Sequence, residues 1–161
     1  MSKQESLSEN FEQAKRCFLL GLRHIEEEEW SAARDVLMKS LALVPNRIST
    51  LTNLCAVLIK LADFEEASNL IDRALLIEPN NPELLLNAAL IALEGKKFEG
   101  ALQKIESAIE LKPDYAEAWS NRGNALNELK RHEEALKSYD RAIALKPDYA
   151  EAWSNRGNAL N

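Results

Sequence analysis

The chain has 161 residues, 46% of them apolar and 29% charged, with a formal charge of −6. That composition belongs to one globular domain with ample length for a core, and it excludes a disordered chain. The acidic balance excludes a protein that grips nucleic-acid backbone through a basic stripe. The longest apolar run, Leu84 to Leu93, is about half of a membrane span and is broken by Asn87. The N-terminal stretch MSKQESLSENFEQAK is polar and holds no apolar signal core, so a cytoplasmic location is expected. Cys17 and Cys55 read as small core fillers, not as a disulfide.

Apolar residues recur at helical spacing in paired segments along the whole chain. The pattern predicts helices over 8–28, 30–43, 47–60, 64–77, 81–94, 98–111, 115–128, 132–145 and 149–160. The first ends on the carboxylate run Glu26 to Glu29, which opposes the helix dipole and should fray it. Asp63 with Glu66, Asp114 with Glu117 and Asp148 with Glu151 have the spacing of capping boxes. Pro82 suits the first turn of its helix, where a missing N–H costs nothing.

A period of 34 residues runs through this series. Leu111 to Asn127 and Leu145 to Asn161 both read LKPDYAEAWSNRGNALN. Pro45, Pro79, Pro113 and Pro147 share the same step, and so do Ala33, Ala67, Ala101 and Ala135. Ser40, Ala74, Ala108 and Ala142 form another column, as do Gly21, Cys55, Ala89, Gly123 and Gly157. Periodicity of this length means stacked copies of one helix pair. The repeats are 14–47, 48–81, 82–115 and 116–149, with a partial fifth over 150–161 and residues 1–13 extending the first helix. The small columns let helix axes approach closely, while Trp119, Leu126 and Tyr139 fill the remaining volume. None of these helices is long enough to stand alone in water, so each depends on its neighbours.

Trp119, Gly123, Leu126, Ala135, Tyr139, Ala142 and Pro147 resemble the tetratricopeptide-repeat pattern over essentially the whole chain from Ala14. Arg122 and Arg156 depart from a column that is usually leucine, and Cys17, Leu51 and Leu85 replace the tryptophan in the first three repeats. The resemblance implies an all-α, right-handed superhelical solenoid of antiparallel helix pairs, with four full repeats and the first helix of a fifth. It further implies a non-catalytic scaffold for protein–protein interaction, holding a peptide segment or partner helix in a concave groove. The late repeats are also similar to the repeat arm of O-linked N-acetylglucosamine transferase and its bacterial relatives. A substrate-docking arm of a larger glycosyltransferase-type enzyme is therefore the alternative.

In that family the first helix of each repeat faces the groove, which places Asn53, Asn87, Asn121 and Asn155 in one column along it. A primary amide both donates and accepts, so a ladder of amides reads the backbone of an extended peptide. The plainer alternative is that asparagine only solvates the helix surface. Leu19 interrupts the column in the first repeat. Around the column the lining changes from Phe18, Leu22, Ile25, Leu86, Leu90 and Leu93 to Glu117, Ser120, Asn124, Asn127, Glu151, Ser154 and Asn158. The apolar set suits an amphipathic helix, unless Leu7 and Phe11 fold over it. Phe18, Thr52, Leu86 and Ser120 stand where chaperone-binding relatives carry the cations of a carboxylate clamp, with Glu83 and Glu117 beside them. An anionic peptide tail should be repelled.

No nucleophile, base and orienting group recur together, and no glycine-rich phosphate loop precedes a helix. His24 and His132 lie at unrelated places in the repeat. No catalytic residue, metal or cofactor is expected, and no nucleic-acid or membrane partner. Trp153, Gly157 and Leu160 sit on a helix whose second partner is missing from the sequence. Either the chain is a piece of a longer array, or this face makes a homo-oligomer.

Overall fold

The computed structural model describes residues 3–160, which form helices joined by short turns, with no strand among the described residues. The helices are α1 (Lys3–Glu26), α2 (Trp30–Leu43), α3 (Ile48–Lys60), α4 (Phe64–Ile77), α5 (Pro82–Glu94), α6 (Phe98–Leu111), α7 (Ala116–Glu128), α8 (His132–Leu145) and α9 (Ala150–Asn158). The first two residues of the predicted N-terminal extension, and Asn161 of the partial fifth repeat, lie outside the described residues. Contacts divide the chain into two compact modules, Met1–Pro79 and Asn80–Asn161. In the first, α1 packs on α2 and touches α3, α2 packs on α3, and α3 on α4. In the second, each helix from α5 to α9 packs on the next, and α5 touches α7 as α7 touches α9.

The second helix of every full repeat matches its predicted bounds to the residue. Turn chemistry explains where the others differ. Between the helices of a repeat, Glu28, Ala62, Lys96 and Lys130 adopt left-handed backbone with φ of 57°, 58°, 56° and 62°. Each closes the preceding helix with a pair of backbone bonds, as Lys130 N donates to the Asn127 carbonyl and Arg131 N to that of Leu126. This is the Schellman arrangement, ordinarily built on glycine. Here the column carries none, so each position bears about 1–2 kcal/mol of steric cost. The first of these turns stops α1 at Glu26, two residues short of the expected end, and makes Glu29 the residue that precedes α2.

Between repeats, the amides of Val44, Glu78, Lys112 and Lys146 bond back to Ser40, Ala74, Ala108 and Ala142, and a proline follows each. Two of the three expected capping boxes are absent. α7 and α9 start after Tyr115 and Tyr149, with no side-chain cap, because those residues donate to the carbonyls of Lys112 and Lys146 and draw Asp114 and Asp148 into the turn. Asp63 does cap α4, accepting from Glu66 N at 3.3 Å. Pro82 opens α5 as expected, and Asn81 caps it by accepting from Leu84 N at 3.0 Å.

Packing within each helix pair rests on one small and one large residue. Leu37, Ile71, Ile105 and Tyr139 form a buried column on the second helices; Gly21 faces Leu37, Gly123 faces Tyr139, and Ala89 shares a core cluster with Ile105. A Cβ on Gly21 would lie 2.7 Å from Leu37, and one on Gly123 would lie 2.4 Å from the Tyr139 ring. The alanine columns are fully buried, as is Leu126. Trp119 is not a core filler as expected: it is half-buried, and its indole donates to the Pro113 carbonyl at 2.9 Å, bracing the turn before it. Trp153 makes the same bond to Pro147 at 3.0 Å. Both cysteines are free, and burial pushes the Cys55 thiol up to about 12. Cys17 is only half-buried and so fills the core less completely than expected.

The arginines that replace leucine hold neighbouring repeats by ion pairs instead. Arg122 donates to Glu106 at 2.9 Å and to Ser138 at 2.9 Å, and Arg156 donates to Asp140 at 2.6 Å. Partly exposed pairs of this kind contribute about 1 kcal/mol or less.

Gly123 and Gly157 stand in identical local sequence, yet the Cβ site of Gly157 has nothing within 4 Å. Gly123→Ala should therefore destabilise the protein by about 1–3 kcal/mol through overpacking against Tyr139. Gly157→Ala should change stability by no more than about 0.5 kcal/mol, as at a surface position. Urea unfolding of both variants checks the contrast.

Candidate functional site

The second module contains an open cleft of about 620 Å³. Leu90 and Leu93 of α5 and Phe98 of α6 supply an apolar wall. Asn121, Asn124 and Asn127 of α7, with Asn155 and Asn158 of α9, supply a wall of primary amides. Glu94, Lys96, Glu128 and Glu151 add charge, and Tyr139 closes the floor.

The amides are oriented by their neighbours. Asn124 Oδ1 accepts from the Tyr139 hydroxyl at 2.8 Å and from Asn155 Nδ2 at 2.9 Å. Two donors on one oxygen fix the carboxamide, so its N–H groups remain for other acceptors. Asn121 is 7% exposed, and its Nδ2 donates to the Glu117 carbonyl one turn earlier at 3.0 Å. Its oxygen accepts no hydrogen bond among the described residues. Asn127 Oδ1 takes the ring of His132 at 2.7 Å. The Tyr139 phenol is pushed up to about 12, first by burial and then by the charges of Glu128 and Glu151.

Several residues expected along a groove are elsewhere. Leu86 is 1% exposed inside the core cluster and presents no surface, because its face of α5 turns toward α6 and α7. Asn87 is also buried and does not line the cleft. Asn53, Phe18 and Leu22 belong to the first module. There Asn53 Nδ2 donates to its own helix at Ser49, at 2.8 Å, and the Arg47 guanidinium stands 4.5 Å over the Phe18 ring. Leu22 is half-buried. Leu7 and Phe11 continue α1 and are exposed, with the Arg47 guanidinium 6.0 Å over the Phe11 ring. Ser120 is fully buried, and Glu83 is paired with Lys112 at 2.8 Å. Burial works against the Glu83 charge, but the hydrogen bond and charge of Lys112 hold its carboxyl below the usual range.

Trp153 and Leu160 are 53% and 60% exposed at the far end of the module, and the open side of Gly157 lies between them in sequence. Sequence reasoning missed Glu94, Lys96, Phe98, Glu128 and Tyr139 as cleft residues. The repeat period would have paired Glu94 with Glu128, while Tyr139 reads as core from its ring and reaches the cleft only through its hydroxyl.

His24, Glu27 and Glu29 bring ligand-type atoms within 4.8 Å of one another at the turn after α1. The His24 Nδ1 to Glu29 Oε2 contact of 2.6 Å and the Arg23 to Glu27 pair at 3.0 Å account for that grouping. Among the described residues, no helix is long and apolar enough to cross a membrane.

Residues 24–90 match a family model described as tetratricopeptide repeat, and residues 89–130 and 123–160 match one described as TPR repeat. Among solved structures, YrrB, described as a TPR protein with an unusual peptide-binding site, is 24% identical with a TM-score of 0.69. The alignment covers 89% of this chain and 74% of YrrB. Pseudomonas aeruginosa pilF aligns over 94% of this chain and 69% of its own, at 20% identity and a TM-score of 0.79. MamA from Desulfovibrio magneticus aligns over 92% and 89%, at 19% identity and a TM-score of 0.71. No curated protein gives a significant match.

Proposed function

The chain belongs to the tetratricopeptide-repeat family, and from that premise we propose that it is a non-catalytic scaffold holding an extended peptide segment in the cleft of its second module. The observation that carries this reading is the oriented amide wall. An extended backbone alternates donors and acceptors, and the N–H groups of Asn124 and the carbonyl of Asn121 meet one of each. The apolar wall of Leu90, Leu93 and Phe98 gives side chains of the same segment somewhere to bury. YrrB, with its peptide-binding site, lends the reading support as a relative in fold.

Two expectations narrow accordingly. The ladder is proposed for Asn121, Asn124 and Asn155, which line the cleft, whereas Asn53 belongs to the first module and Asn87 is not among the lining residues. Catalysis is not part of the proposal: the amides, leucines and carboxylates of the cleft include no nucleophile paired with a base.

A second reading concerns α9. Trp153 and Leu160 leave apolar surface in water, and Gly157 is open where Gly123 receives a ring. We infer that this face associates with a second copy of the chain. A buried tryptophan removes about 150–250 Å² from water, enough to drive association at high concentration.

On an array of random nonapeptides, Asn121→Ala and Asn124→Ala should each weaken retention by about fivefold, as loss of one hydrogen bond near 1 kcal/mol implies. Circular dichroism confirms that the variants stay folded, and unchanged retention by both counts against the ladder. Sedimentation velocity addresses α9 separately. The protein should show concentration-dependent growth that Trp153→Glu abolishes, and a monomer at all concentrations removes the second reading.

A further inference from the structure

The cleft carries a charge pattern that the amide wall does not explain. Glu94, Glu128 and Glu151 line it against a single ammonium, Lys96. None of the three carboxylates forms an ion pair among the described residues, whereas Glu83, Glu106, Glu134 and Asp140 of the same module are paired with Lys112, Arg122, Arg131 and Arg156. Glu94 and Glu128 are the last residues of α5 and α7, with no basic residue in either final turn. A carboxylate there opposes the helix dipole, a small local electrostatic cost at both positions.

The carboxylates do not gather closely enough to hold a metal ion: the grouping of that kind among the described residues is His24, Glu27 and Glu29. Asn121 lines the same cleft at 7% exposure; its Nδ2 is spent on the Glu117 carbonyl, and its oxygen accepts no hydrogen bond among the described residues. An N–H donor of positive character answers both features. The Tyr139 phenol on the floor already registers the negative field of Glu128 and Glu151.

We propose that the cleft selects peptide segments carrying a lysine or arginine side chain, which enters among Glu94, Glu128 and Glu151 while the backbone pairs with the amide wall. The proposal rests on the peptide-binding reading above and names its ligand class. Electrostatic attraction of this kind gives specificity and fast association more than raw affinity, and it weakens with salt.

The test uses nonapeptides randomised at every position except the centre, which is fixed as lysine, norleucine or glutamate. The lysine set should be retained at least fivefold better than the norleucine set at low salt, with the glutamate set weakest. Glu128→Gln/Glu151→Gln should bring lysine and norleucine within twofold of each other. Glu99→Gln/Glu110→Gln, which removes equal charge outside the cleft, should leave the preference intact. Equal retention of the lysine and norleucine sets overturns this proposal and leaves peptide binding standing. Loss of the preference in the Glu99/Glu110 variant overturns it as well, since the attraction is then the charge of the whole chain. Retention of no set overturns both readings.

Discussion

Each helix pair closes through a small residue on its first helix and a large one on its second, and everything else in either module follows from that contact. Gly21 receives Leu37, Ala89 shares a core with Ile105, and Gly123 receives the Tyr139 ring. The bulkiest partner, Tyr139, stands against a glycine, as does Leu37. Helices this short gain little from intrinsic propensity, so close approach and side-chain burial supply what holds them. The left-handed turns without glycine and the unfavourable charges at helix ends are tolerated because this contact recurs at every pair.

The same contact builds the candidate site. With the Tyr139 ring seated on Gly123, its hydroxyl meets the adjacent Asn124, and Asn124 in turn receives Asn155 from α9. A single buried ring therefore fixes the pitch of α7 against α8 and the orientation of the amide that faces the cleft. An oriented amide loses less freedom on binding than a rotating one, which is the usual advantage of a preorganised site. Lys112 and Glu83, and Arg122 and Glu106, set adjacent helices at the polar surface by pairs that matter less energetically.

The period, the helix pairs and the buried columns were legible because they depend on residue size and spacing alone. Second helices could be placed to the residue since a proline marks the end of each. Caps were harder. Asp114 and Asp148 have the right spacing from Glu117 and Glu151, but a tyrosine amide closes the turn onto the lysine three residues earlier, a choice the spacing does not reveal. The left-handed column was hidden for a related reason, as glutamate, alanine and lysine do not announce positive φ. For the site, the amide column was visible as a column, and its division was not. Which asparagine is buried, which bonds to its own helix and which faces open space depends on how each first helix is rotated in its pair. Leu86 shows the same limit, since apolar groove and apolar core look alike in sequence.

The central claim is that oriented amides on α7 and α9 hold a peptide backbone. Side-chain amide signals in nitrogen–proton correlation spectra report on it directly, using the most strongly retained array peptide as titrant. The Asn121, Asn124 and Asn155 signals should shift together and saturate with one affinity. Shifts confined to the exposed faces of α6 and α8, with those three amides unmoved, would contradict the account.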